Sequence, residues 1–153
     1  MATAFIQYKN GKGFDIAEDF MQLVFYYIYE ELIKSQYSFT KKNLFIMDFE
    51  SVINGYQSSY LTLGWSEILT NSLEERTMIQ ILQNVKTSFQ SKGIYISVSE
   101  LQSIPTEDKD FKILYSRNPF PIVELIKIID TLIKMLEGTW DSNNFSMDIN
   151  YQY

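Results

Sequence analysis

DFMQLVFYYIYEELIKSQY, residues 19–37, is the densest apolar and aromatic stretch of the chain, and it ends in two glutamates. A membrane-spanning helix needs about 18 or more apolar residues. The uncharged run Phe20–Tyr29 is too short for that, so a membrane span is excluded here. Helical spacing explains the run better. Phe20, Leu23, Val24, Tyr27, Ile28 and Leu32 share a broad face, with Gln22, Tyr26, Tyr29 and Ile33 opposite. Apolar groups on nearly all sides predict a central helix packed on more than one face. Asp15, Glu18 and Asp19 crowd its start, where carboxylates favour the dipole, and Glu30–Lys34 has the i,i+4 spacing of an ion pair. Glu31 projects from the apolar side. Either the core ends there or a buried acid finds a donor, because an unpaired buried carboxylate is costly.

Working outward, Asn10-Gly11 between AFIQYK and KGFDI predicts a turn joining two short strands. In TKKNLFIMDFESVING, with Thr40 as cap and Gly55 as stop, the apolar residues are too crowded to settle helix against strand, with helix the favoured reading. A short helical piece follows from about Ser66. Ser72-Leu73-Glu74-Glu75 has the S-x-x-E pattern of a capping box. After it, Met78, Ile79, Ile81, Leu82, Val85 and Phe89 form one stripe that ends before Gly93. Ile94, Ile96 and Val98 alternate with Tyr95 and Ser97 like a short strand, and Ser99 starts a helical turn that stops before Pro105. TEDKDFKILYSRN reads as a charged connection with an extended end. The last helix is capped by Asn118, has Pro119 in its first turn, and runs amphipathically from Ile122 to Glu137 before Gly138. Ile122, Leu125, Ile126, Ile129, Leu132, Ile133 and Leu136 face inward, and Asp130–Lys134 is a second i,i+4 pair.

The predicted fold is mostly α: a single-domain bundle of about five helices over residues 1–153, with a small β-hairpin or short strands. An α+β arrangement is the alternative. Residues 139–153 are either a tail docked by Trp140 and Phe145 or a disordered end that binds something.

The chain has 153 residues with neither histidine nor cysteine. The commonest general base, the thiolate nucleophile and the usual nitrogen and sulfur metal ligands are therefore missing. Gly11-Lys12-Gly13 lacks P-loop spacing. Glu107, Asp108 and Asp110 lack the glycine and bidentate glutamate of an EF-hand. Asp48/Glu50 and Glu74/Glu75 suit glycosidic acid–base work only across a sugar cleft. We expect no enzyme activity, no cofactor and no metal; a carboxylate-metal enzyme is the least favoured option. The net charge of −6 argues against nucleic acid as partner, since Lys41-Lys42 is the nearest thing to a basic cluster. The first residues lack the pattern of a signal peptide, and the expected location is cytoplasmic.

Binding is the remaining task. Eleven tyrosines exceed what one small core needs, and tyrosine is favoured at interface hot spots. The candidate partner contacts are Glu30, Tyr56, Tyr60, Glu107, Asp108 and Asp110. A small, acidic, cysteine-free, leaderless single domain with the composition of an AT-rich bacterial gene resembles the immunity proteins of polymorphic or contact-dependent growth-inhibition toxins. GWSEILTNSLEERTMIQILQNVKTSF is similar in kind. The resemblance implies a cytoplasmic protein that binds a cognate toxin domain, of nuclease type, and occludes its active or essential surface. The alternative is a small-molecule-binding or regulatory domain with a pocket along the Phe20 helix.

Overall fold

The computed structural model describes residues 3–56, 60–62 and 64–153. The run at residues 20–29 lies within helix α1, Glu18–Leu32. It follows a hairpin of β1 (Thr3–Gln7) and β2 (Gly13–Ala17), antiparallel with Ala4 opposite Ile16. The turn works because Asn10 and Gly11 take the left-handed backbone, at φ 61° and 69°, which these two residues adopt with least strain. The chain continues through α2 (Lys42–Ile53), β3 (Tyr60–Thr62), α3 (Trp65–Ile68) and α4 (Ser72–Ser91). Then come β4 (Tyr95–Ile96), α5 (Val98–Ser103), α6 (Lys109–Leu114), β5 (Phe120–Pro121), α7 (Ile122–Glu137) and β6 (Phe145–Ser146).

The molecule is mostly α with some β, and its β content exceeds a lone hairpin. A mixed sheet runs β3-β1-β2-β6, with β3 and β6 parallel to their neighbours, and β4 pairs antiparallel with β5. Helix α1 is central, packed against α2, α4, α7 and the hairpin. Its broad face is buried, and each large apolar side chain buried there contributes about 1.5–3 kcal/mol. Helix α7 lies along α4, and the stripes of both are buried at the contact, with Ile79, Ile126 and Ile133 half-buried at its margins.

Several local readings shift. The cap of α4 is Asn71, whose side chain accepts from the Glu74 amide at 2.9 Å, so the motif is displaced by one residue from Ser72 and Glu75. Thr40 does not cap α2; its amide and hydroxyl instead donate to the Glu74 carboxylate. The charged segment after Pro105 is helical, because Asp108 accepts from the amides of Asp110 and Phe111 and closes the first turn of α6. Asn118 and Pro119 precede α7 without starting it, since Phe120–Pro121 is first drawn into a strand beside β4. Ser97, not Ser99, opens α5. Ile94 is exposed, whereas Ile96 is buried. Lys34 pairs with Glu31 instead of Glu30, and Asp130 pairs across to Lys86 of α4 instead of Lys134.

The tail is docked. Trp140 Nε1 donates to the Gly13 carbonyl at 2.8 Å, and β6 extends the sheet beside β2. Tyr151 stacks on Phe120 with ring centroids 4.6 Å apart, and Tyr153 stacks on Phe20 at 5.8 Å. Contacts of this kind are worth about 0.5–1.5 kcal/mol each beyond area burial.

Candidate functional site

The second stripe of α1, opposite its core face, builds the site. Tyr26 and Tyr29 stand one turn apart and remain half-buried, lining a groove of about 460 Å³. Glu50, Ile53 and Asn54 from the end of α2 form a further part of the lining. The connection between α5 and α6 completes it with Pro105, Thr106 and Glu107. Among the described residues no lysine or arginine lines this groove.

The α5–α6 connection is tied down. Thr106 Oγ1 donates to the Ile53 carbonyl at 2.6 Å, and Gln22 Nε2 donates to that carbonyl and to Asp108 Oδ2, both at 3.0 Å. The Glu107 amide donates to Asn54 Oδ1 at 3.1 Å, and the Asp108 amide to Thr106 Oγ1 at 3.0 Å. Carbonyls at a helix end lack intrahelical partners; here side chains of other segments supply them. Gly55 lets the chain turn away from α2, at φ 71°. A Cβ there would stand 2.5 Å from Asp108 Oδ2, so a side chain is excluded twice over.

The groove is an acceptor surface. The Tyr56 hydroxyl donates to the Glu107 carboxylate, which holds the phenol above its ordinary range. Burial, with Glu30 beside it, pushes Tyr26 up to about 12. Burial and then the Glu50 charge raise Tyr29. Burial first, then the charges of Asp108 and Asp19, raise the Glu18 carboxyl. The phenols therefore stay neutral at physiological pH. Among the described residues Glu18, Glu30, Glu50, Glu107, Asp108 and Asp110 form no salt bridge; the bridges are made by Glu31, Glu75, Glu100, Glu124, Asp130 and Asp141. The negative end of α2 points the same way, because its last carbonyls lie at the groove.

Of the residues singled out in the sequence, Tyr56, Glu107, Asp108 and Asp110 come together on this face. Glu30 sits at its margin, facing the Tyr26 hydroxyl and lining a neighbouring cleft of about 280 Å³. Tyr60 lies in β3 opposite Thr3, and its side chain falls outside the described residues. Tyr26, Tyr29 and Glu50 complete the groove without having been chosen as contacts. For the two tyrosines the signal was the second stripe of α1, which is polar and aromatic where a solvated helix would be charged; Glu50 lies on α2.

Glu31, lining the smaller cleft, is matched: Lys34 Nζ lies at 2.8 Å, and the Tyr37 hydroxyl and Asn84 amide also reach it. Burial alone would raise its carboxyl, but those three donors together hold it below the ordinary value. It is a rim glutamate that the fold satisfies. Glu74 and Glu75 diverge, the first to Thr40 and Thr70, the second to Tyr8 and Lys9. Lys12 pairs with Asp141 at 2.9 Å. Among the described residues no three carboxylates converge to hold a metal ion, and no helix is long and apolar enough to cross a membrane. The core side of α1 is filled: Phe25 stacks on Phe49 at 4.4 Å, and Tyr27 meets Phe89 edge-on at 5.0 Å. Comparison with known proteins returns no protein family, no curated protein and no solved structure that matches this chain.

Proposed function

We propose that this protein is a bacterial immunity protein. On this reading it acts in the cytoplasm, binds a cognate toxin domain of nuclease type, and blocks that domain's active or essential surface. The observation that carries the reading is an aromatic, acidic groove, its α5–α6 wall held by hydrogen bonds, whose carboxylates form no ion pair among the described residues. Enzymes that cut nucleic acid present basic surfaces to phosphate. An acidic partner surface meets such a site with fast, salt-sensitive association. The absence of imidazole and thiol from the sequence supports a binder over a catalyst.

The test is coexpression with the toxin-like product of the neighbouring upstream gene. We expect growth protection and a one-to-one complex whose association slows as salt rises. Charge reversal at the groove, Glu50→Lys with Glu107→Lys, should abolish protection while the protein remains folded. Protection that survives this double reversal would move the inhibitory surface elsewhere, and no protection against any adjacent gene product would remove the reading altogether.

A further inference from the structure

We infer that the groove between α1 and α2 is a receptor for one arginine side chain of the partner, an inference that rests on the partner-binding reading above. Two other clefts are neutralised by ion pairs from within, and in a third, beside Thr40, the Glu74 carboxylate is taken up by Thr40 and Thr70. In the one beside Glu31, Lys34 and Lys92 are engaged by Glu31 and Glu100. In the one beside the hairpin turn, Lys9 and Lys12 are engaged by Glu75 and Asp141. Among the described residues, the α1–α2 groove is lined by acids and no cation, unlike the clefts beside Glu31 and the hairpin turn.

Its lining matches a guanidinium on a long apolar stem. Ile53 and Pro105 offer apolar contact to the stem. Tyr26 and Tyr29 offer phenol rings, on which a planar, weakly hydrated guanidinium stacks better than a compact ammonium. Glu50 and Glu107 offer carboxylate oxygens, which the fork of N–H donors can bridge. The hydroxyl of Tyr56 is already given to Glu107, and that of Tyr26 faces Glu30, so the groove accepts more bonds than it donates. The tied-down connection of residues 104–108 keeps Glu107 in place before any partner arrives, so little entropy is lost on binding.

The experiment is an NMR titration of the whole chain, read at the Tyr26 and Tyr29 ring signals assigned through Tyr26→Phe and Tyr29→Phe. The probes are an end-capped Gly-Arg-Gly peptide, its lysine counterpart and its citrulline counterpart, citrulline being the neutral isostere. Saturable shifts at both rings are expected with the arginine peptide, with lysine binding weaker and citrulline giving no saturation. Glu50→Gln with Glu107→Gln should weaken arginine-peptide binding by about tenfold or more. Glu67→Gln with Asp148→Asn, an equal charge change away from the groove, should leave it unchanged. Equal binding of the citrulline peptide, equal loss in both double variants, or shifts confined to the Glu31 cleft would overturn the inference. Toxin protection without arginine binding would also overturn it while leaving the immunity reading in place. Arginine binding without protection would do the reverse.

Discussion

Glu74, Glu75, Glu124 and Asp130 of α4 and α7 are matched one by one, whereas Glu50, Glu107 and Asp110 beside the α1–α2 groove have no ion pair among the described residues. On the first side Glu75 meets Lys9, Asp130 meets Lys86 and Glu124 meets Lys127. Glu74, buried at 5 % exposure, accepts from the amides and hydroxyls of both Thr40 and Thr70 at 2.7–2.9 Å. On the second side Glu50, Glu107 and Asp110 face water without an ion pair among the described residues. The first arrangement fixes segments to one another. The second leaves its charges uncompensated, as the proposed partner contact requires. Removing an acid should therefore unfold one region and silence the other.

The largest expected effect follows from Glu74→Ala. The change strands two backbone amides and two hydroxyls that join the α1–α2 connection to the start of α4, at a cost of about 3 kcal/mol or more. Urea denaturation should show a lowered midpoint with an unchanged slope. The pH dependence sharpens the point. Burial opposes ionisation, but the four hydrogen bonds outweigh it and hold the carboxyl at about 2. The folded state thus binds fewer protons than the unfolded state, and this stabilisation is complete above about pH 4.5 and disappears as pH falls toward 2. Glu74→Gln should flatten that acid limb.

Next in size is Gly55→Ala. The left-handed backbone and the approach to Asp108 both oppose a Cβ, so a loss of about 1–2 kcal/mol is expected. Its more telling readout is local. Hydrogen exchange should accelerate at the Glu107 and Asp108 amides, which the Asn54 and Thr106 bonds protect. Loss of stability with unchanged protection there would separate Gly55 from the groove wall.

Asp19 breaks the neat division, because it is buried on the unmatched side. One of its oxygens accepts from the Tyr153 hydroxyl at 2.5 Å and the Tyr115 hydroxyl at 3.4 Å, while Oδ1 is buried with no hydrogen-bond partner among the described residues. Burial raises its carboxyl above the ordinary value despite the two phenols. The sign is opposite to that of Glu74: the folded state holds the proton more tightly, so this group destabilises at neutral pH and ceases to do so as pH falls. Asp19→Asn keeps an acceptor for Tyr153 and removes the buried charge. A higher Tm at pH 7 is expected, with the gain shrinking as pH is lowered.

How much of this was legible depends on range along the chain. The core face of α1, the stripes of α4 and α7 and the Asn10-Gly11 turn follow from neighbours within a few residues. The pairings of β3 and β6 with the hairpin do not, because strands of two or three residues carry too little pattern to announce a partner far away. Helix α6 was hidden for a related reason: the charges of TEDKDFK mask a single apolar pair, Phe111 and Tyr115, both buried. The groove was half visible. Tyr56, Glu107 and Asp108 stood out as tyrosine outside helices and as an acidic run, but the groove that Glu107 lines with Tyr26, Tyr29 and Glu50 exists only once α2 lies across α1.

The smallest expected effect on stability is the one that bears most on the proposed function. Glu50→Gln with Glu107→Gln changes no ion pair and keeps an acceptor for the Tyr56 hydroxyl. Surface changes of this kind shift stability by no more than about 0.5 kcal/mol, and here relief of like-charge repulsion favours a small gain. If the two regions differ as their pairing implies, this variant should melt with the parent protein and yet lose salt-dependent association with a basic partner. A melting loss comparable to that of Glu74→Ala would mean that the groove acids also hold the fold together, and the contrast between matched and unmatched acids would collapse.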